Sequence, residues 1–352
     1  KKINFYKKYL NFLNPFELID FLEKLISKNL NISTMIWGPP GIGKSSIVAA
    51  AAEKAGIDFI DLRLSQLAPT DLRGLPVPVH PNKGEEYGIS KWYPPEFLPR
   101  DGKGILFLDE LNMAPPVMQG VAQQLILDRK IGSYKVPEGW IILSAGNRKE
   151  DRASVFEMPS PLANRFIHLE VEANYESFKK YAVNKNIAEE VTSFLAFRPK
   201  LLHSMKVDQK AWPSPRSWEM ASKLFNSGIP IDIAVGEGAA SEFNSFLNVY
   251  KRIPNLEIIL KGKGKKIKFP KQISGQWATT TGLIYRSKNA NQVKNVFTWL
   301  IENSTPEWVQ LYASDIVNTF KNNGKLSELA MCVMNDPIII KYFKGFEEIL
   351  NK

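Results

Sequence analysis

Eight consecutive residues constrain this chain more than any others: Gly38-Pro39-Pro40-Gly41-Ile42-Gly43-Lys44-Ser45. They fit the pattern of glycine, four residues, then Gly-Lys-Ser/Thr without a mismatch, a pattern that does its chemistry only as a turn between a strand and a helix. Both flanks are present. Thr34-Met35-Ile36-Trp37 is a short apolar run that stops at Gly38, and Lys44 to Ala55 has an alanine-rich, helical composition. Glycines let successive backbone N–H groups turn inward, and a helix beginning at Gly43-Lys44 aims its free amides and dipole at bound phosphate. The expected phosphate cradle is therefore Gly38, Pro40, Gly41, Ile42, Gly43, Lys44, Ser45 and Ser46. Lys44 is expected against the β- and γ-phosphates of a nucleotide, and the Ser45 hydroxyl on Mg²⁺.

Such a site needs a carboxylate at the end of a buried strand. Gly104-Ile-Leu-Phe-Leu-Asp109-Glu110 offers two, because four apolar residues run straight into an acidic pair. Asp109 is expected to hold Mg²⁺ through water, and Glu110 to accept a proton from an attacking water. Ile141-Ile-Leu-Ser-Ala-Gly-Asn147 is another buried-strand pattern ending in an amide. Parallel strands deliver their C-terminal ends to one rim, where Asn147 either orients that water or simply closes a turn.

Around these motifs, residues 15 to 172 alternate strand and helix patterns. Asn14-Pro15 reads as an N-cap followed by proline at the first helical position, with Phe16, Ile19, Leu22, Leu25 and Ile26 at helical spacing. Strands are expected at Thr34 to Trp37, Asp58 to Leu64, Gly104 to Leu108, Trp140 to Ala145 and Phe166 to Val171, and a helix at Pro115 to Asp128. This alternation predicts an α/β fold with a parallel, helix-covered sheet. After about Ala173 amphipathic patterns take over, at Tyr175 to Val183, Ile187 to Phe197, Ser217 to Phe225, Val293 to Ile301, Trp308 to Phe320 and Leu326 to Met334. A lysine-rich loop at 261–271 interrupts them.

Composition excludes several alternatives. Cys332 is the only cysteine, and His80, His168 and His203 are scattered, so intrachain disulfides and a conventional metal cage are not expected. No apolar run approaches the roughly 18 residues of a membrane-spanning helix, and the start has no apolar signal region, which makes a cytoplasmic location and no membrane insertion the expectation. The net charge of +10 is local. Lys1, Lys2, Lys7 and Lys8 stand in an acid-free start, six lysines stand in the acid-free stretch 261–271, and the rest of the chain is neutral. Residues 32–172 contain 15 basic and 17 acidic residues, so no basic groove is expected there.

With these residues in place, the sequence resembles the AAA+ ATPases and, within them, the MoxR-like group. The resemblance covers about residues 15–225. Gly-Pro-Pro-Gly-Ile-Gly-Lys-Ser, Leu-Asp-Glu-Leu-Asn-Met-Ala-Pro, Ser-Ala-Gly-Asn-Arg, Met-Pro-Ser-Pro-Leu-Ala-Asn-Arg165-Phe166 and Trp-Pro-Ser-Pro-Arg216-Ser stand in that family's order. It implies Mg²⁺-dependent ATP hydrolysis, a P-loop NTPase sheet of AAA+ type, and a ring, usually a hexamer. Arg165 resembles the arginine finger that reaches a neighbour's γ-phosphate, and Arg216 the sensor-2 arginine at the start of a lid helix; a guanidinium suits both roles because its fork bonds phosphate oxygens. The implied domains are an α/β domain at 1–172 with an insertion at about 66–100, a helical lid at 173–255, and a basic loop with a helical extension at 256–352. In the insertion, Tyr87, Trp92 and Tyr93 either project into a pore or pack a surface loop. Turn signals at Gly132-Ser133 and Pro137-Glu-Gly139 match the family's hairpin before sensor 1.

The sequence departs from the family at Met113, where an arginine often follows the asparagine. The family implies a protein partner containing a von Willebrand factor A domain, remodelled, assembled or activated in a chaperone-like cycle. The alternative is a nucleic-acid-directed motor, because the stretch from Asn147 through Asp151 and Arg152 to Ser154 resembles the McrB-type translocases and the lysine stretch offers phosphate contacts.

Overall fold

The computed structural model describes residues 13–79, 88–151, 155–205, 209–334 and 336–340. His80, Tyr87, the Arg152–Ser154 segment and the lysines of the first eight residues lie outside the described residues. The chain divides into two compact units. Unit 1 comprises residues 1–178, 205–208 and 214–216, and unit 2 comprises 179–204, 209–213 and 217–352.

Unit 1 begins with helix α1 (Pro15–Ser27). The Asn14 side chain accepts from the backbone N–H groups of Phe16 and Glu17 at 2.9 and 3.0 Å, and the Glu17 carboxylate accepts from Asn14 N–H at 3.1 Å. Such a reciprocal cap is worth about 1 kcal/mol. Then follow β1 (Thr34–Trp37), α2 (Lys44–Ala55), β2 (Asp58–Arg63), α3 (Pro69–Arg73), β3 (Leu75–Val79) and β4 (Ile89–Tyr93). β5 (Gly104–Asp109), α4 (Pro116–Asp128), β6 (Lys130–Ile131), β7 (Tyr134–Lys135), β8 (Trp140–Gly146), α5 (Ser160–Ala163) and β9 (Ile167–Glu170) complete it.

Five strands form one parallel sheet in the order β2-β5-β8-β1-β9. Strands β5 and β8 are buried along their whole length, as their near-continuous apolar sequences predict. Alternation divides their side chains between two cores. Ile105, Phe107, Ile141 and Leu143 pack with Leu18 and Leu22 of α1 and Val48 and Ala52 of α2. Leu106, Leu108 and Ile142 face the other way, onto Met118, Val121 and Leu125 of α4. Each face is thus covered by helix, which is why the sheet can be parallel.

Two strand pairs stand outside this sheet. β3 and β4 form an antiparallel ribbon within the region read as an insertion, and β6–β7 is a two-residue hairpin around Gly132-Ser133. In β3, Pro76 and Pro78 alternate with Leu75, Val77 and Val79, so two positions lack a backbone donor and the strand is a poor template for further pairing.

Among the described residues unit 2 contains helices and no named strand. The segments of the helical half are α6 (Tyr175–Asn184), α7 (Glu189–Phe197), α8 (Pro215–Asn226), α9 (Asp232–Val235), α10 (Glu237–Tyr250), α11 (Leu256–Leu260), α12 (Ile273–Arg286), α13 (Ala290–Asn303), α14 (Pro306–Asn322) and α15 (Leu326–Met334). Phe194, Trp218, Phe243 and Phe246 form an aromatic cluster with ring centroids 5.4–6.1 Å apart. Leu256, Ile259, Val296, Leu300 and Tyr312 build a second core. Glu189 ties α7 to α10 and α12 by accepting from the Tyr250 hydroxyl and from Arg286 Nε at 3.1 Å. Burial raises the Glu189 pKa, and both partners oppose that shift.

Candidate functional site

The parallel sheet places the C-terminal ends of β1, β5 and β8 on one rim. Trp37 pairs with Gly146, and Leu108 with Ser144, so Gly38, Asp109 and Asn147 leave the sheet side by side. β1 and β5 are not neighbours: β8 lies between them, which sets Asn147 between the phosphate loop and the acidic pair.

The loop itself has the backbone that its glycines predict. Gly41 and Gly43 have φ of +81° and +92°, a region where side chains are strained, and a Cβ on Gly41 would lie 2.9 Å from the Ser214 hydroxyl. Gly43 opens α2. Lys44 is buried, with its Nζ donating to the Gly38 and Pro39 carbonyls at 2.7 and 3.2 Å and to Asn147 Oδ1 at 2.9 Å. Burial lowers its pKa to about 8, against the attraction of Asp109 and Asp151 and with the repulsion of Arg216 and Arg148. Ile42 is buried beneath the loop and Ser46 is exposed.

The Ser45 hydroxyl donates to Asp109 Oδ2 at 2.6 Å across 64 residues of sequence. The second Asp109 oxygen accepts from Glu110 N–H at 2.8 Å. Glu110 has φ +57° and ψ +31°, a left-handed conformation that costs a non-glycine residue about 1–2 kcal/mol. Its carboxylate accepts a hydrogen bond from the Ser65 hydroxyl, just past β2. Strain at a residue held this way is a common mark of a working site.

Ser65, Asn112, Arg148 and Asp151 are the residues that the sequence reading did not assign. The Asn112 side chain donates to Asn147 O at 2.7 Å and accepts from Asn147 N–H at 3.1 Å, so one buried amide grips both backbone groups of Asn147. The Asn147 amide then presents its oxygen to Lys44 and its NH₂ to the Met113 sulfur, a weak acceptor, at 3.1 Å. Arg148 makes a bidentate pair with the buried Asp151 carboxylate at 3.0 and 3.1 Å, raising the arginine's pKa. The Arg148/Asp151 spacing of three is a local signal that was available. Ser65 and Asn112 carry none, since each acts on a partner brought to it by the sheet. Trp37 adds one more link, donating to His168 Nδ1 at 2.8 Å, while His168 Nε2 lies 2.9 Å from the Ala163 carbonyl. A cavity of about 260 Å³ opens beside Asn112 and Asn147, lined also by Trp37, Phe156 and Met158.

Lys44, Ser45, Asp109, Glu110 and Asn147 are thus brought together. Arg216 is exposed, and its backbone N–H donates to Gly41 O at 3.3 Å. Arg165 is exposed on the turn between α5 and β9, and among the described residues no described contact joins it to that group. The described residues hold no cluster of three or more histidine, cysteine or carboxylate side chains able to bind a metal. None of their helices is long and apolar enough to cross a membrane.

A five-stranded parallel sheet covered by helices, with a glycine loop, a buried lysine and an acid-terminated strand on its rim, is an α/β fold of P-loop type. Residues 34–166 match the family model described as "ATPase family associated with various cellular activities (AAA)". Midasin of Giardia intestinalis is 28% identical over 147 residues, which are 39% of this chain and 3% of midasin. The chain therefore spans only a small fraction of that relative's length. Among solved structures, the chain is similar to NtrX of Brucella abortus in complex with ADP at 15% identity and TM-score 0.40, covering 92% of this chain and 72% of that one. It is also similar to a RuvB mutant of Thermotoga maritima at 15% identity and TM-score 0.39, covering 82% and 83%.

Proposed function

We propose that this chain is a MoxR-like, ring-forming, Mg²⁺-dependent ATPase whose cycle remodels a protein partner. The observation that carries the reading is the hydrogen bond from Ser45 to Asp109: the hydroxyl and the carboxylate that share a magnesium ion in such sites already meet at 2.6 Å. Both are hard oxygen donors, and Mg²⁺ takes one or two protein oxygens together with waters and phosphate. Ser45 and Asp109 would hold the ion, which when bound neutralises charge on the β- and γ-phosphates.

The protein's own groups do the rest. Backbone amides from Gly41 to Ser45 cradle the phosphates, and Lys44 turns its ammonium from the Gly38 and Pro39 carbonyls to phosphate oxygen. Glu110 leaves Ser65 and takes a proton from the attacking water; the water oxygen bonds to the γ-phosphorus as the bond to the ADP oxygen breaks. Asn147 turns its NH₂ from the sulfur of Met113 to that water or to the γ-phosphate. Arg165, exposed and with no described contact to this group among the described residues, acts on a neighbouring subunit's nucleotide in a ring, and Arg216 acts on the nucleotide of its own chain. The domain plan is an ATPase domain to residue 172, a lid to 255 and an extension beyond, with a von Willebrand factor A domain protein as partner.

Replacing Glu110 by Gln tests this mechanism. ATP turnover is expected to fall at least about 100-fold, the usual worth of a general base, with nucleotide binding retained. Unchanged turnover in the purified variant would overturn the assignment.

A further inference from the structure

The stretch 261–271 carries six lysines and no acid, and all six are exposed. Among the described residues, none of the six enters a described ion pair. A solvated spacer of such composition would be tethered only at its ends. This one is anchored along its length within unit 2. Asn295 donates to Leu260 O at 2.9 Å, and Gly264 is buried in a short 3₁₀ turn against Trp299. The Trp299 indole donates to Ile267 O at 3.0 Å, and Gln276 donates to Pro270 O at 3.0 Å. The Phe269 ring packs 5.8 Å from both Trp299 and Trp308. Residues 264, 267 and 269 are thus drawn inward, and the lysines around them are held outward as a fixed cluster of like charge. Such a cluster repels itself in the free protein and is relieved by an anionic partner.

We propose that the loop 261–271 is a docking surface for the phosphate backbone of duplex nucleic acid. Three observations favour that partner over an acidic protein or a single strand. Lysine is depleted at protein–protein interfaces, which rely on apolar and aromatic anchors, whereas phosphate contacts need only positive charge. All six cations are lysines, point charges without the bidentate fork of arginine, which suits sequence-independent contact with phosphates. The one aromatic ring of the loop, Phe269, is packed inward and so offers no platform on which unpaired bases could stack. The inference does not depend on the hydrolysis mechanism.

The test is fluorescence anisotropy of a labelled short DNA duplex titrated with the full chain at increasing salt, with duplex RNA and poly-glutamate as parallel probes. If all six lysines contact phosphate, affinity is expected to drop by about 10³ between 50 and 200 mM salt. The triple variant Lys263→Gln, Lys265→Gln, Lys266→Gln should lose about half of that salt dependence, with helical circular dichroism and ATP turnover unchanged. Binding of either duplex supports the proposal, and their ratio tells DNA from RNA. No duplex binding at 50 mM salt, or an unaltered salt slope in the triple variant, overturns it. Tighter binding of poly-glutamate than of either duplex also overturns it, and would assign the loop to an acidic protein.

Discussion

Lys44 links the structure to the proposed phosphate contact. Its ammonium is buried against two carbonyls and an amide, and that burial lowers its pKa to about 8. Polyphosphate favours the charged form and must raise this value, so nucleotide binding at pH 8.5 to 9.5 is expected to take up close to one proton, and binding at pH 6.5 none at Lys44. Calorimetry of ADP binding in buffers of different ionisation enthalpy measures this directly. Equal proton uptake at both pH values would show that Lys44 is not the group that titrates. Glu110 makes the complementary point. Its acidic identity and its place after four apolar residues are legible in the sequence, yet its left-handed backbone and its bond to Ser65 are not, because they depend on where β2 ends relative to β5.

At the scale of elements, the motif-bearing pieces were legible and several quiet ones were not. α2 runs from Lys44 to Ala55 as its composition predicts, and the five sheet strands fall within a residue or two of their apolar runs. The strand expected over Asp58 to Leu64 ends at Arg63, because Leu64 turns inward to begin a 3₁₀ turn and is fully buried. Helix α12 escaped detection. Its buried face is built largely of small and hydroxyl-bearing residues, Gly275, Ala278, Thr279, Thr280 and Gly282, so no apolar stripe marks its helical period in the sequence. Helix α10 and the β3–β4 ribbon were hidden for related reasons: small residues dominate the first turns of one, and prolines interrupt the other. An element also positions the site. A Cβ on Gly146, at the end of β8, would collide with Asn112 Oδ1 and lie 2.6 Å from Met35 Cε. Gly146→Ala is therefore expected to cost about 1–3 kcal/mol in stability by overpacking. It should also slow turnover with little change in nucleotide affinity, because the displaced Asn112 no longer holds Asn147. Denaturant unfolding and steady-state kinetics together check this; a stable variant with full turnover would show that Asn112 does not position Asn147 for turnover.

For the whole molecule, the proposed hydrolysis belongs either to one chain or to an assembly. Glu110 and Arg165 share no described contact, so if Arg165 acts across an interface, two defective proteins can repair one another. Arg165→Ala and Glu110→Gln variants, each inactive alone, are expected on equal mixing to recover about a quarter of wild-type turnover, the share of interfaces that join two intact halves. Absence of recovery after subunit exchange would show that Arg165 does not act across an interface. The sequence by itself determined the phosphate loop, the helix behind it and the apolar strands that end in Asp109 and Asn147, because backbone propensity and hydrophobic pattern are written in neighbouring residues. Only the tertiary structure decided that Ser45 meets Asp109, Ser65 meets Glu110 and Asn112 grips Asn147, at separations of 64, 45 and 35 residues. Those contacts follow from the strand order β2-β5-β8-β1-β9, which arises from burying both faces of one sheet and leaves no mark in any local stretch of sequence.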